Sequence, residues 1–268
     1  MSTDQTIVTL LTDFGLDDVY TGVMKGVILS RCESARIVDL THRIDQGDIP
    51  AAGYLLSTAW RYFPAGSVHV AVVDPGVGSG RRILAANVAG HHFIAPDNGL
   101  LSDVFDQHTP EMVVAVENSS LFLQPVSDTF HGRDIFAPVA AALAGGTALD
   151  ELGPAVTSWM HLPRRSAEVM DGGGVRGEVI YVDRFGNLIT NITAHDLEGF
   201  DAGSLRVKLG ARQVITGLVS AYSKAAAGSP LAIVGSSGRL EISVNRGNAA
   251  ERLAAQIGMA VEVQGNGA

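Results

Sequence analysis

The chain has 268 residues, 46% hydrophobic and 18% charged, with a formal net charge of −9 and one cysteine. This is enough for one large or two modest domains of an ordinary soluble protein, and the acidic balance argues against a nucleic-acid partner, since phosphate binding needs a basic face. Cys32 alone excludes an intramolecular disulfide and a cysteine-rich zinc site. No apolar run approaches the roughly 20 residues that span a bilayer. Polar residues 1–6 lead directly into a strand, so no signal peptide is expected and a reducing cytoplasm fits.

Residues 7–11 form a β-branched, apolar run that Thr12-Asp13-Phe14-Gly15 breaks. Asp17 can cap a helix carrying Val19, Val23, Val27 and Ile28 on one face, and Cys32 falls near its end. Residues 36–40 predict a short buried strand ending in Thr41-His42. Asp48 can cap the next helix, with Pro50 tolerated in its first turn, and that helix runs to about residue 62. Residues 68–73 are the third strand. Residues 83–88 and 92–95 flank Gly90 as a hairpin, 99–105 predict a short helix, 112–116 a further strand, and 133–144 an alanine-rich helix packed on a sheet. Strand–helix alternation of this kind predicts an N-terminal α/β domain, residues 1–163, with a mainly parallel central sheet covered on both faces.

The character changes after Leu162. Residues 164–174 read as a linker or ordered crossover. Beyond it, 177–182, 188–192, 205–209, 213–215, 231–234, 240–244 and 260–263 are short and strand-like, interrupted by a helix at 249–256, with a frayed tail at 265–268. Brief strands at close spacing predict a smaller C-terminal all-β, barrel-like domain, residues 175–268.

Six segments break their local pattern where chemistry is expected. Val72-Val73-Asp74-Pro75-Gly76-Val77-Gly78-Ser79-Gly80-Arg81-Arg82 ends an apolar run in an acid, three glycines and two arginines. In an open α/β sheet, ligands bind at the carboxyl ends of strands. A carboxylate held beside a guanidinium keeps its charge, which makes Asp74 an acceptor or base; a plain turn with a surface ion pair is the alternative. Asp13 stands just after the first strand, where an acid commonly accepts hydrogen bonds from ribose hydroxyls. In Pro96-Asp97-Asn98-Gly99, Asp97 or Asn98 reads as a helix cap.

His131, in Thr129-Phe130-His131-Gly132-Arg133-Asp134, stands before a helix, a position that favours anions and can lower a histidine's pKa. The other seven histidines read as satisfied structural residues, and no spacing supports a metal. Asp183-Arg184-Phe185-Gly186-Asn187-Leu188 sets a phenyl ring beside an amide, a pair that suits a flat heterocycle, although a hairpin turn also accounts for it. Gly235-Ser236-Ser237-Gly238-Arg239-Leu240-Glu241 is a glycine–serine loop whose amides could serve the same ring.

Taken together and in this order, from Leu10-Leu11-Thr12-Asp13-Phe14-Gly15 to Asn245-Arg246-Gly247-Asn248-Ala249-Ala250, the motifs resemble the S-adenosylmethionine hydroxide adenosyltransferases, relatives of the fluorinating and chlorinating enzymes. The resemblance covers essentially the whole chain. It implies a homotrimer whose sites lie where one subunit's N-terminal domain meets a neighbour's C-terminal domain. It also implies hydrolysis of S-adenosyl-L-methionine to adenosine and L-methionine, without cofactor or metal.

Carried onto this chain, the family's Asp-Arg-His set falls on Asp74, Arg81 and His131, with Arg82 the neighbouring alternative to Arg81. Asp13 falls at the ribose hydroxyls, Asp183, Phe185 and Asn187 in the adenine-binding loop, Ser237 and Glu241 in a second loop, and Phe130 near the sulfonium. Gly132 corresponds to the halide-contacting residue of the halogenases, which carry an aromatic residue where Asp74 stands. A carboxylate there points to water or hydroxide as nucleophile. The rival expectations are a halide-dependent adenosyltransferase and a non-catalytic protein that binds S-adenosylmethionine or adenosine.

Overall fold

The structure, a computed structural model, describes residues 5–163, 166–211 and 213–265. The chain divides into two compact units, Met1–Pro163 and Arg164–Ala268.

In the first unit β1 (Ile7–Thr12), α1 (Tyr20–Arg31), β2 (Arg36–Thr41), α2 (Ile49–Ala59), β3 (Val68–Val72), β4 (Ile83–Val88), β5 (His91–Pro96), α3 (Ser102–Gln107), β6 (Met112–Ala115) and α4 (Ala137–Ala144) follow one another. The sheet order is β2-β1-β3-β5-β4-β6. Pairing is parallel from β2 to β5, and only β4 runs against both its neighbours. Alternation along the strands sends Val8, Leu10, Val70 and Ile94 to one face, where Met24 and Ile28 of α1 and the alanine-rich α4 cover them. Leu11, Ala71, Ala86 and Phe93 go to the other face, under α2 and α3. Burying Met24 and Ile28 completely contributes roughly 1.5–3 kcal/mol each to the docking of α1.

Several local expectations are corrected. Asp17 does not cap α1: Val19 occupies that position without a side-chain bond, and the buried line of the helix is Thr21, Met24 and Ile28 while Val19 faces solvent. β2 is the sheet's edge and is only partly buried, because one long side has no partner strand. Neither Asp97 nor Asn98 caps α3, which begins at Ser102; Asp97 pairs with Arg82, and Asn98 Nδ2 donates to the Val73 carbonyl at 2.8 Å. Asp48 does cap α2, its Oδ1 accepting the Ala51 N–H at 3.0 Å.

The second unit contains β7 (Glu168–Val169), β8 (Val175–Val182), β9 (Leu188–Thr193), β10 (Arg206–Leu209), β11 (Gln213–Thr216), β12 (Pro230–Val234), β13 (Arg239–Val244), α5 (Ala249–Arg252) and β14 (Ala260–Gln264). The antiparallel order is β11-β10-β14-β8-β9-β13-β12, with β7 folded back on β8. After β11 the chain bridges through Leu218 to Ala232 of β12, which nearly closes the sheet into a barrel around Val179, Leu188, Val207, Leu240 and Val261. The expected linker therefore holds a paired strand, although its residues 164 and 165 lie outside the described residues, as does most of the expected frayed tail. α5 is shorter than expected: it ends at Arg252, beyond which Ala254 takes a positive φ.

Candidate active site

In the first unit the chain leaves β1 for β2 on one side and then crosses to β3 on the other. The carboxyl ends of β1 and β3 thus form the point where strand order reverses. Thr12 of β1 stands opposite Val72 of β3, so Asp13 and Asp74 leave the sheet just beyond the same rung. A cavity of about 300 Å³ opens there, walled by Phe14, Tyr20, Val72, Val77 and Phe130, with Asp13, Asp74 and His131 converging among them. An apolar pocket with a few polar groups is the usual form of a small-molecule site.

Two turns fold residues 74–81 back on themselves. Val77 N–H donates to the Asp74 carbonyl at 3.2 Å, and Ser79 N–H to that of Gly76 at 3.0 Å. Gly78 between them has φ +77°, and a Cβ there would collide with the Asp128 carbonyl of the neighbouring loop. The fold-back returns Arg81 to Asp74. Arg81 Nε donates to Asp74 Oδ1 at 2.9 Å, Nη2 donates to Oδ2, and Nη2 also lies 2.9 Å from His131 Nδ1. The side chains of Asp74 and Arg81 are only 5% and 12% exposed, so the pair is a buried fork rather than a surface ion pair. Arg82 turns away to Asp97 Oδ2, 2.6 Å from its Nη2, and to the Ser158 carbonyl. The two adjacent arginines thus have separate partners.

His131 begins a stretch of irregular helix. Residues Gly132–Phe136 form a π-helix, closed by the Ala137 N–H donating to the Gly132 carbonyl, and α4 continues from it. Such bulges occur often at functional sites because they rotate the residues before them relative to the helix that follows. Burial, and then the nearby Arg81 charge, push the His131 pKa below its ordinary value. Because a guanidinium only donates, His131 Nδ1 is the acceptor, and its ring proton resides on Nε2. Asp134, buried in the π-helix, accepts from the Ser127 N–H at 2.9 Å and from Arg133, tying down the loop that carries Phe130. Phe130 packs edge-on against Phe14 and Tyr20, with ring centroids 5.9 and 5.1 Å away. A Cβ on Gly132 would lie 3.1 Å from Phe130 and 3.2 Å from both Met24 and Phe14, which leaves no free room for a side chain.

In the second unit, Asp183, Phe185 and Asn187 share the turn between β8 and β9. Asp183 Oδ1 accepts the N–H groups of Phe185 and Asn187, and Oδ2 accepts from Asn187 Nδ2 at 2.8 Å, so Asp183 is occupied in building the turn. Phe185 is 75% exposed, leaving its ring open for stacking. The loop with Ser237 does not meet this turn: Gly238 accepts from Ala194 beyond the far end of β9. Glu241 is a strand residue between the two, opposite Ile189, and it accepts from Tyr222 Oη and Ser243 Oγ at 2.7 Å each. Burial and this bond to Glu241 raise the Tyr222 pKa. The segment that does reach the turn is 245–250: Ala250 N–H donates to the Gly186 carbonyl, a Cβ on Gly186 would overlap Asn248, and Arg246 takes φ +58°. A non-glycine residue at positive φ is an uncommon local strain, and the repeated Asn and Gly around Arg246 were its only trace in the sequence.

An α/β domain with a half-buried carboxylate–guanidinium–imidazole set at its switch point, joined in one chain to an antiparallel barrel, defines the class. Profiles of the SAM hydroxide adenosyltransferase N-terminal and C-terminal domains match residues 8–153 and 177–262. The chain belongs to this family. It is 38% identical to a protein named (R)-S-adenosyl-L-methionine hydrolase from Thermus thermophilus, over 96% of this chain and 98% of that one. It is likewise 38% identical to one of the same name from Salinispora tropica, over 92% and 93%. A fluorinase from Actinoplanes sp. is 27% identical over 89% and 91%. Among solved structures, an uncharacterized conserved protein from Thermotoga maritima superposes with a TM-score of 0.90 at 37% identity, covering 96% of this chain and 99% of that one.

Proposed function

We infer that this protein hydrolyses S-adenosyl-L-methionine to adenosine and L-methionine by in-line attack of water at the ribose C5′. The observation that carries this is Asp74 in the cavity wall, held by the Arg81 fork beside His131. The oxygen–C5′ bond forms as the C5′–sulfur bond breaks, and the bonding pair leaves with sulfur, which becomes the neutral thioether of methionine. A sulfonium needs no general acid or metal to depart. The protein's task is to hold the water on the line of attack. Asp74 accepts the water's proton or a strong hydrogen bond from it, and the His131 Nε2–H group orients its oxygen. Positive charge on sulfur disappears as the bond breaks, so apolar walls such as Phe14, Val72, Val77 and Phe130 favour the transition state.

Asp13 is assigned to the ribose hydroxyls, and Phe185 and Asn187 to the adenine. The halide-free chemistry rests on a carboxylate at position 74, which repels an anion. The family relatives named for the (R) form support that sulfonium epimer as the preferred substrate. A homotrimer, the lack of any cofactor and a cytoplasmic location belong to the same proposal, on the family resemblance and the single cysteine.

Incubation of the pure protein with each sulfonium epimer, followed by identification of the nucleoside, tests the reading. Adenosine with free methionine is the expected result. Tight binding without turnover, or 5′-halo-adenosine when chloride or fluoride is present, would overturn it. His131→Ala is expected to lower the rate roughly 10- to 100-fold, the worth of one hydrogen bond to a group that carries charge in the transition state. A loss as large as that of Asp74→Asn would make the imidazole indispensable instead.

A further inference from the structure

One chain of polar contacts runs from the protein surface to the loop that carries Asp13. At its outer end, Lys25 Nζ of α1 lies 2.6 Å from Asp39 Oδ2 on β2. Asp39 Oδ1 lies 3.1 Å from Nε2 of His42, a residue 2% exposed. That approach is bent, and Nε2 has no better-aligned partner among the described residues. The other ring nitrogen, Nδ1, is 2.9 Å from the hydroxyl of fully buried Thr12, and this hydroxyl oxygen accepts the Phe14 N–H at 3.2 Å. The His42 carbonyl accepts the Gly15 N–H at 2.8 Å. His42 therefore holds residues 12–15 with both ring and backbone. Asp13 sits between these anchors, and its Oδ2 accepts the Gly47 N–H at 2.9 Å.

The proton positions follow from the chemistry of the groups. A carboxylate only accepts, and a ring lone pair 3.1 Å from it would be repelled, so His42 Nε2 carries the proton. In the neutral ring Nδ1 is then an acceptor, and Thr12 donates to it. The Thr12 oxygen keeps its lone pairs for the Phe14 N–H, which closes the turn around Asp13. Burial opposes charge on Asp39, but the Lys25 bond and the adjacent His42 ring outweigh it and hold the carboxyl below its ordinary range. Neither His42, Asp39 nor Thr12 lines the cavity, whereas Asp13 and Phe14 do.

We propose that Asp39, His42 and Thr12 are positioning residues that aim the Asp13 carboxylate at the vicinal hydroxyls of the bound nucleoside. This rests on the reading of Asp13 as the ribose ligand. The relay acts on ground-state and transition-state binding alike, because the hydroxyls do not change during displacement at C5′.

The test uses the full chain with Asp39→Asn, whose site is partly exposed, and with Thr12→Val, which keeps volume but removes the hydroxyl. Both are expected to raise KM for S-adenosylmethionine about tenfold, the worth of one or two hydrogen bonds, with kcat held within about twofold. Calorimetry with adenosine and 2′,3′-dideoxyadenosine needs no turnover: the wild type is expected to favour adenosine, and the variants to lose most of that preference. Thr12→Ser, which restores the hydroxyl, is expected to recover it. A variant that keeps the wild-type preference, or loses kcat with KM unchanged, would overturn the relay alone. A wild type that binds both nucleosides equally would overturn the Asp13 reading and the relay with it.

Discussion

Replacing Asp74 by asparagine is expected to lower adenosine formation by about a thousandfold or more while S-adenosylmethionine still binds. The substitution preserves shape and removes two things at once. The first is the acceptor for the water's proton, a contribution of roughly 10²–10⁴ in rate. The second is the fork with Arg81: Oδ1 and Oδ2 each accept from the guanidinium, and an amide can present only one oxygen to it. Its NH₂ would face a donor, displacing Arg81 and with it the contact to His131 Nδ1. Product chromatography measures the rate, and calorimetry with S-adenosylmethionine measures binding. Full activity in the variant would remove Asp74 from the chemistry.

Acid is expected to destabilise the first unit well above the range where carboxylates titrate. His69 on β3 is fully buried, with Nδ1 2.8 Å from the Thr9 hydroxyl and Nε2 3.1 Å from His91 Nδ1, and its ring stacks on His91 and Phe93. Burial, reinforced by His91 and His92, pushes its pKa down to about 3. An unfolded histidine titrates near 6.5, so between pH 6.5 and 3 the unfolded chain binds a proton that the folded one refuses. Stability is therefore complete above pH 6.5 and falls as pH drops through this window, by up to about 1.4 kcal/mol per unit, or about 2 kcal/mol at pH 5. His91 and His92, also lowered chiefly by burial, act in the same direction. Denaturant unfolding at pH 7.5 and 5.0 is expected to show a smaller pH loss in His69→Asn than in the wild type. Parallel losses would place the acid sensitivity elsewhere.

Much of the architecture was legible because it follows from periodicity. The apolar runs at 7–11 and 68–73 and the hairpin around Gly90 fall where strands form, and Asp48 caps its helix as such a residue should. The errors lie where a local signal had competition. Asp17 has the right chemistry for a cap, yet Val19 opens α1. The π-helix at Gly132–Phe136 has no composition of its own, since it differs from an α-helix only in hydrogen-bond register. Ser237 lies in a glycine–serine loop of suitable chemistry, but antiparallel pairing puts that loop and the Phe185 turn at opposite ends of β9.

The sequence by itself determined the two-part organisation, the strand-end acids and the candidate partners Arg81 and His131, because patterning and turn chemistry are written over a few residues. It preferred Arg81 through the family pattern and kept Arg82, of equal chemistry, as the neighbouring alternative. Only the tertiary structure separated them: positive φ at Gly78 and two successive turns send one guanidinium back to Asp74 and leave the other for Asp97. The same holds for Asp13, whose setting depends on His42, 29 positions away along the chain but joined to Thr12 by one hydrogen bond. Such pairings are decided by packing between distant segments, for which no local signal exists.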